Sequence, residues 1–279
     1  MAEQHGRQVY LVTAAWLKTH LDDPDVRIVD TRNPALFEAG HIPGSVFVDV
    51  RNLDVTDTSP DGLGAWVARL ERAFSAAGIR EGQQVVFYEE TSGEIATRGV
   101  WVLAYLGHNG ACLLDGGLNA WCRAGYPIVA APSKVTPSEF RARPCPDLVA
   151  TRQCVLERIG DPSVRFLDVR RVEEYTGVEV RANRGGRIPG AMHLEWVSNL
   201  EPGGCYKSPA DLAALYAGTQ LYPGHEIIAY CQGGYRSANT WLALTLLGYP
   251  RVRNYVGGWE EWGNRAALPI ENETRPAPR

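Results

Sequence analysis

One sequence pattern occurs twice in the chain, and this repeat constrains the fold more than any other feature. Residues 23–32 (DPDVRIVDTR) match residues 161–170 (DPSVRFLDVR), and residues 40–45 (GHIPGS) match residues 186–191 (GRIPGA). A Gly-Gly-x-x-x-Trp segment closes each copy, and the matching segments keep the same order. Two homologous domains are the simplest explanation of such an ordered repeat.

Predicted helices and strands alternate within each copy. Thr13 in the first copy and Thr151 in the second precede short helical stretches, as helix-capping residues do. Buried strands are predicted at residues 84–88 and 226–230. This alternation predicts an α/β fold in which each domain has a mainly parallel sheet flanked by helices.

The segment between the two copies has the composition of a linker. Residues 131–147 are rich in proline and lack helical periodicity. We therefore predict an N-terminal domain over residues 7–130 and a C-terminal domain over residues 148–273. Asp30 and Asp168, near the ends of equivalent strands, are predicted to pair with nearby basic groups or to cap turns at the strand ends.

Composition excludes several classes of protein. The chain has 279 residues, of which 45% are hydrophobic and 22% charged, as in globular proteins. A formal net charge of -4 gives no support for nucleic-acid binding. No apolar run approaches the ~20 residues of a membrane span, so no membrane association is predicted. No secretory signal is visible at the start, and a cytoplasmic location is expected.

Six cysteines are dispersed along the chain without any Cys-x-x-Cys pair. Neither disulfides nor a zinc site is expected from this spacing, and no nucleotide-binding fingerprint appears. No metal or other cofactor is therefore predicted. Five of the cysteines are interpreted as small apolar filler: Cys112, Cys122, Cys145, Cys154 and Cys205.

The sixth, Cys231, lies in the segment 226–238 (EIIAYCQGGYRSA), which predicts a strand, a tight loop and a helix. Glycines allow the loop to bend until its backbone N–H groups converge on the sulfur, next to the amino end of the helix. Together with the cation of Arg236, this setting favours the thiolate, the reactive form of cysteine. A buried structural cysteine is the alternative interpretation.

The first copy differs at the equivalent loop, residues 89–94 (EETSGE), which has no cysteine and no closing arginine. Three carboxylates there would repel a thiolate or an anionic substrate. The first domain is therefore predicted to be inert and to build one wall of a cleft. Glu89 and Glu94 are interpreted as solvated loop charges, with an acid–base pair as the alternative.

In these segments the sequence resembles the tandem-domain rhodaneses, a family of sulfurtransferases. The resemblance extends over nearly the whole chain and includes residues 168–170, residues 186–191, the Cys231 loop (residues 231–236) and both Gly-Gly-x-x-x-Trp segments. It implies that Cys231 takes a sulfane sulfur from a donor such as thiosulfate, forming a persulfide. Cyanide or a thiol, including a thiol protein such as thioredoxin, would then accept the sulfur.

The resemblance also guides the choice of substrate-binding residues. The Cys231 loop resembles that of the bacterial thiosulfate enzymes, and a substrate-binding arginine of the animal enzymes falls on Glu174. Arg181 and Arg184 lie nearby in sequence and are interpreted as solvated. Substrate contact is assigned to Gln232, Gly233, Gly234, Tyr235, Arg236, Ser237 and Arg187.

Other functions remain open from the sequence. A 3-mercaptopyruvate sulfurtransferase and a persulfide carrier for a partner protein are the alternatives within the family. Cysteine-dependent phosphatases use Cys-x5-Arg, one residue longer than the Cys-x4-Arg that Arg236 closes here, and arsenate reduction by a related loop is a further alternative. His41, the counterpart of Arg187 in the first copy, is assigned a structural role.

Overall fold

Two five-stranded sheets, one in each copy of the repeat, form the framework of the chain. The computed structural model describes residues 10–131, 133–219 and 221–272. The strand orders are β1-β5-β4-β2-β3 and β6-β10-β9-β7-β8, the same permutation in both sheets. In the described part of the chain, all pairings between these strands are parallel, which confirms the predicted α/β architecture.

The elements of the two domains correspond one to one. The strands of the first domain are β1 (Leu11–Val12), β2 (Val26–Asp30), β3 (Val46–Phe47), β4 (Gln84–Tyr88) and β5 (Ala111–Leu114). Its helices are α1 (Ala14–Thr19), α2 (Pro34–Ala39), α3 (Pro60–Ala76), α4 (Glu94–Tyr105) and α5 (Gly117–Arg123). The strands of the second domain are β6 (Val149–Ala150), β7 (Val164–Asp168), β8 (Met192–His193), β9 (Glu226–Tyr230) and β10 (Val252–Tyr255). Its helices are α6 (Arg152–Arg158), α7 (Val172–Thr176), α8 (Pro209–Ala217), α9 (Arg236–Leu246) and α10 (Gly258–Trp262). Short 3-10 helices occupy Val50–Asn52, Pro146–Leu148 and Trp196–Asn199.

Local sequence signals explain where several of these elements begin. The hydroxyl of Thr13 accepts the N–H of Trp16 at 3.1 Å, and that of Thr151 accepts the N–H of Cys154 at 3.1 Å. Both predicted helix caps are confirmed. The central strand β9 is buried along its whole length, as an apolar strand covered on both faces should be.

The Asp-x-Arg segments of the repeat are buried ion pairs at the ends of β2 and β7. Arg32 Nη2 lies 2.6 Å from Asp30 Oδ2, and Arg170 Nη2 lies 2.6 Å from Asp168 Oδ2. Each arginine also donates to the carbonyl of the glycine that opens the Ile-Pro-Gly turn. The predicted pairing of both aspartates is confirmed, and it ties the strand end to the following turn.

The two domains share one hydrophobic core rather than only touching at their surfaces. Helices α4 and α9, which follow the central strands of the two sheets, pack against each other. Trp101 from α4 and Trp241 from α9 belong to the same buried cluster. The loops that precede α4 and α9 therefore come together at one end of this interface.

The segment predicted as a linker packs against the first domain. Phe140 is buried and makes an edge contact with Phe74, with 5.5 Å between ring centroids. The N–H of Phe140 donates to Ser75 Oγ at 3.0 Å, and the N–H of Ala142 donates to Glu71 Oε1 at 2.8 Å. The predicted outer domain boundaries, residues 7 and 273, lie outside the described residues. Among those residues, no helix combines the length and apolar character that crossing a membrane requires.

Candidate active site

Cys231 immediately follows β9 and lies in an open cavity of about 350 Å³ between the two domains. The residue is buried, with 1% of its surface exposed. The second domain contributes the following residues to the cavity lining: Arg181, Cys231, Gln232, Gly233, Tyr235, Arg236 and Glu260. The first domain contributes Arg51, Asp54, Val55, Thr56, Glu94 and Ile95. The predicted role of the first domain as one wall of the cleft is therefore seen in the structure.

Backbone N–H groups of α10 donate to two carbonyl groups of the Cys231 loop. The N–H groups of Trp259 and Glu260, at the start of α10, donate to the carbonyls of Cys231 and Gln232 at 2.8 Å each. Because peptide groups are planar and trans, the N–H groups that follow these two carbonyls point away from α10. Two successive N–H groups with this orientation, those of Gln232 and Gly233, can serve an anion on the opposite side of the loop.

Gly234 provides the bend that the loop requires. Its φ of +82° lies in the left-handed region, which glycine adopts without strain. Its carbonyl accepts two hydrogen bonds, from Asn254 Nδ2 at 2.9 Å and from Arg98 Nη1 at 3.1 Å. A Cβ at this position would lie 2.8 Å from the carbonyl oxygen of Val256, so a larger residue would displace the loop.

Ser237, in the first turn of α9, contacts the sulfur of Cys231. Its Oγ lies 3.5 Å from Cys231 Sγ and 2.7 Å from Asn254 Oδ1. A hydroxyl has one proton, so it can donate to the sulfur or to the amide oxygen but not to both. This arrangement lets Ser237 accept from the neutral thiol and donate to the thiolate by rotating its hydroxyl group.

Arg236 is engaged in an ion pair that the sequence did not predict. Its Nη1 and Nη2 donate to the two carboxylate oxygens of Glu174 on α7, at 2.6 and 3.0 Å. The Glu174 side chain is only 1% exposed. Burial alone would raise the pKa of Glu174, but the hydrogen bonds and charge of Arg236 outweigh it and lower that pKa to about 2. Two of the five N–H donors of Arg236 are therefore occupied, and its assigned contact with substrate stays a prediction, since the residue also lines the cavity.

The remaining charges around the cavity are mixed in sign. Glu94, from the start of α4, is not the solvated charge predicted from the sequence, because burial raises its pKa. The cations Arg236, Arg51 and Arg181 counteract part of this rise. Arg181 also lines the cavity instead of being fully solvated, and its Nη1 lies 3.5 Å from Glu174 Oε1.

Glu89 likewise differs from its predicted role as a solvated charge. Its Oε1 accepts the N–H groups of Ile95 and Ala96 at 2.8 and 2.9 Å, and so caps the start of α4. Burial raises the pKa of Glu89 to about 7, although these two hydrogen bonds act in the opposite direction.

Gln232 and Tyr235 anchor the Cys231 loop to the rim of the cavity. Gln232 Nε2 donates to the carbonyl of Arg181 at 3.0 Å and to Glu260 Oε2 at 2.7 Å. Tyr235 Oη lies 2.9 Å from the carbonyl oxygen of Arg51 in the first domain, to which it can donate. These contacts couple the loop to both walls of the cleft.

Arg187, which the sequence assigned to substrate contact, does not line the cavity. Its Nε lies 3.2 Å from Glu271 Oε2, and its guanidinium lies 4.4 Å from the ring centroid of Tyr175. The backbone N–H groups of Arg187 and Glu271 also each donate to the carbonyl of the other residue, at 2.9 Å, which keeps Arg187 beside Glu271. Arg184 donates to the carbonyls that follow α10 and does not line the cavity. His41, the counterpart of Arg187, packs on Phe37 at 4.0 Å between ring centroids.

Sequence reasoning missed Arg98, which reaches the Cys231 loop from the first domain. Arg98 is fully buried in α4, and within the described residues its side chain makes one hydrogen bond, to the carbonyl of Gly234. A signal was available, because Arg98 is the one charged residue in the apolar stretch 95–106 (IATRGVWVLAYL). A lone charge in a buried helix is rare unless it serves an interaction.

Comparison with known proteins accounts for this arrangement. The chain matches the Rhodanese-like domain twice, over residues 13–124 and 151–265. The chain belongs to the rhodanese family. A thiosulfate sulfurtransferase of Pseudomonas aeruginosa is 34% identical over 259 residues, which are 91% of this chain and 94% of that protein. The sulfur carrier protein TtuD of Thermus thermophilus is 31% identical over 275 residues, which are 93% of this chain and 95% of that protein.

The rhodanese fold also agrees with a solved structure over most of both chains. SseA from Escherichia coli, described as a 3-mercaptopyruvate sulfotransferase, superposes with a TM-score of 0.79 at 28% identity. The superposition covers 90% of this chain and 99% of SseA. Both rhodanese domains are thus present in one continuous chain.

Proposed function

We propose that this rhodanese is a sulfurtransferase that moves a sulfane sulfur from thiosulfate to a thiophilic acceptor through a persulfide on Cys231. The observation that carries the proposal is the position of Cys231: it lies in an open cavity, at a strand end, within a loop whose carbonyls are held from behind. The relative from Pseudomonas aeruginosa, named a thiosulfate sulfurtransferase, supports thiosulfate as the donor.

The reaction proceeds in two half-reactions that balance without an external oxidant or reductant. The Cys231 thiolate attacks the outer sulfur of thiosulfate, a new S–S bond forms, and the donor's S–S bond breaks with its electron pair leaving on sulfite. The carbon of cyanide then attacks the outer sulfur of the persulfide. The enzyme's S–S bond breaks, its electron pair returns to the Cys231 thiolate, and thiocyanate leaves.

The charges of the cavity suggest only a modest preference for a dianionic donor. Three cations line the cavity, Arg51, Arg181 and Arg236, and Glu174 occupies two donors of Arg236. Glu94 faces the same space and opposes them. We therefore propose that thiosulfate is preferred over 3-mercaptopyruvate, but by a smaller factor than a uniformly cationic cavity would give.

The intact mass of the protein tests the intermediate. Treatment with thiosulfate should add one sulfur atom, and cyanide should remove it with formation of thiocyanate. Cys231→Ser should show neither change, whereas the matched variant Cys122→Ser, at an exposed cysteine, should behave as the wild type. Sulfur transfer by Cys231→Ser would contradict the mechanism.

The rate of turnover distinguishes an enzyme from a persulfide carrier. Steady-state kinetics with thiosulfate and with 3-mercaptopyruvate, each with cyanide, should favour thiosulfate. Stoichiometric loading with negligible turnover would support a persulfide carrier instead.

We also propose that a thiol protein such as thioredoxin can accept the sulfur. The reaction would take place in the cytoplasm, where a reducing environment keeps Cys231 a thiol. Reduced thioredoxin should then remove the sulfur from the loaded protein, whereas thioredoxin without its cysteines should not.

A further inference from the structure

Arg98 is a buried cation that the first domain presents to the catalytic loop of the second. It is 0% exposed, and its Nη1 donates to the carbonyl of Gly234 at 3.1 Å. Within the described residues, its Nε and Nη2 have no hydrogen-bond partner, and Arg98 forms no ion pair. Burying a guanidinium without a counter-ion opposes folding, so its presence calls for a functional explanation.

Aromatic rings surround this guanidinium without neutralising it. Its central carbon lies 5.2, 5.0 and 5.1 Å from the ring centroids of Trp66, Trp101 and Tyr235. Cation–π contacts of this kind compensate part of the lost hydration and leave the positive charge intact. Burial lowers the pKa of Arg98 to about 10, so the group remains positive at neutral pH. Because Arg98 is buried, solvent screens its electric field less than it screens that of an exposed charge.

The loop is shaped to accept this arginine. A Cβ at Gly234 would lie 2.7 Å from Arg98 Nη1, so glycine allows the guanidinium to approach the backbone. Glu94 lies one helical turn earlier in α4 and lines the cavity, which places Arg98 directly behind the cavity wall. The favourable electrostatic partners of Arg98 include Tyr235, Cys231 and Asp54.

We propose that Arg98 is a positioning residue of the sulfur-transfer reaction, which fixes the Cys231 loop through Gly234 and whose uncompensated charge favours the anionic thiolate and persulfide forms of Cys231. The inference rests on the proposed function, because a persulfide forms on Cys231 only if the protein transfers sulfur in the proposed way. The first domain, which lacks a cysteine in its own loop, would then still contribute to the reaction of the second.

Other charged groups also face Cys231, and they stay in place when Arg98 is changed. They come from every element around the cavity: Arg51, Asp54, Glu94, Arg181, Arg236 with its partner Glu174, and Glu260. Tyr235 is a further titratable group beside the sulfur. A difference between wild type and an Arg98 variant therefore reports on Arg98.

The test is the pH dependence of alkylation of Cys231 by iodoacetamide, followed by mass spectrometry of the peptide that contains it. Arg98→Met should move the midpoint of the profile upward by about one pH unit, and slow alkylation below the midpoint about tenfold. Arg143→Met is the matched control, because it removes one positive charge from an exposed site beyond the far end of α4, which is about 18 Å long.

Unfolding by urea distinguishes this role from a structural one. Since Asn254 also donates to the Gly234 carbonyl, Arg98→Met should fold and should be at least as stable as the wild type. A folded Arg98→Met with the wild-type alkylation profile would overturn the proposal.

Arg98→Gln is the second neutral variant, because it retains an N–H donor for Gly234 without a charge. It should shift the profile as Arg98→Met does, and it decides the question if Arg98→Met does not fold. Failure of both neutral variants to fold would assign Arg98 a structural role and overturn the proposal. Alkylation needs no sulfur donor, so a negative result here is distinct from a failure of the proposed function, which would appear as the absence of sulfur loading.

Discussion

The Arg236–Glu174 ion pair predicts a strongly non-additive response to mutation. The two side chains exchange two hydrogen bonds, at 2.6 and 3.0 Å, and are 11% and 1% exposed. Changing one partner leaves the other buried without its counter-ion, which is more costly than losing the pair itself. Arg236→Met and Glu174→Gln should therefore each destabilise the protein, and the double variant should lose less than their sum.

The size of the coupling follows from the pKa of Glu174. A decrease from the ordinary value of 4.5 to about 2 corresponds to roughly 3 kcal/mol in favour of the charged carboxylate. Arg236 is the main source of that preference, so a coupling free energy of about 3 kcal/mol is expected between the two positions. Arg236→Met alone should lose about 3 kcal/mol or somewhat more.

Urea unfolding at neutral pH of the wild type, both single variants and the double variant measures this coupling. Additivity within about 0.5 kcal/mol would refute the reasoning. The pH dependence provides a second check. Because the folded pKa of Glu174 is depressed, its contribution to stability is present above pH ~4.5 and is lost as the pH falls towards 2. That part of the acid-induced loss should be missing in Glu174→Gln.

Donor kinetics connect the same pair to function. In Arg236→Met the carboxylate of Glu174 is left beside the cavity and opposes a dianion, so kcat/KM for thiosulfate should fall by more than the roughly 10- to 100-fold expected from a lost charged hydrogen bond. The double variant with Glu174→Gln should recover part of this loss. The loss and the recovery should both be smaller for 3-mercaptopyruvate, which has one carboxylate. Equal effects on both donors would contradict this explanation.

Three further predictions concern other parts of the site. Gly234→Ala should lose most sulfur transfer and about 1–3 kcal/mol of stability, because φ is +82° there, whereas Gly64→Ala, with open space around its Cα, should not; equal activity of the two variants would contradict this. Glu89→Gln should be less sensitive than the wild type to a rise from pH 4.5 to 7 in urea unfolding, because the raised pKa of Glu89 removes stability over that range; identical pH profiles would refute it. Glu261→Gln should raise the KM for thiosulfate, because Glu261 accepts from the N–H and hydroxyl of Thr58 and holds the segment that lines the cavity; an unchanged KM would show that this anchor is dispensable.

The sequence was most informative where the determining interactions are local. Thr13 and Thr151 cap helices within three residues, and Asp168 pairs with Arg170 two residues away. The strand, loop and helix around Cys231 follow from one short segment, so the position of this cysteine between β9 and α9 could also be predicted. These features depend on near neighbours, which a single sequence displays directly.

The sequence was least informative where partners are distant along the chain. Glu174 pairs with Arg236 across an interval that no local pattern links, and the resulting neutral pair changes the charge of the cavity. Arg187 follows Arg181 closely in sequence, yet the intervening turn directs it to Glu271 instead. Arg98 comes from the other domain, so its contact with Gly234 appears only when α4 and α9 pack together.

The two domains have different residues at the same position, directly after the central strand of each sheet. Glu89 follows the tyrosine that ends β4, as Cys231 follows the tyrosine that ends β9. In the first domain, Glu89 accepts the N–H groups of Ile95 and Ala96 at the start of α4, although burial raises its pKa to about 7. In the second domain the sulfur of Cys231 lies at the start of α9, beside Ser237, the counterpart of Ile95. A carboxyl group at this position cannot exchange sulfur, whereas a cysteine can form a persulfide there. Under the proposed function, the residue at this one loop position therefore decides which domain can transfer sulfur, while the fold around it stays the same.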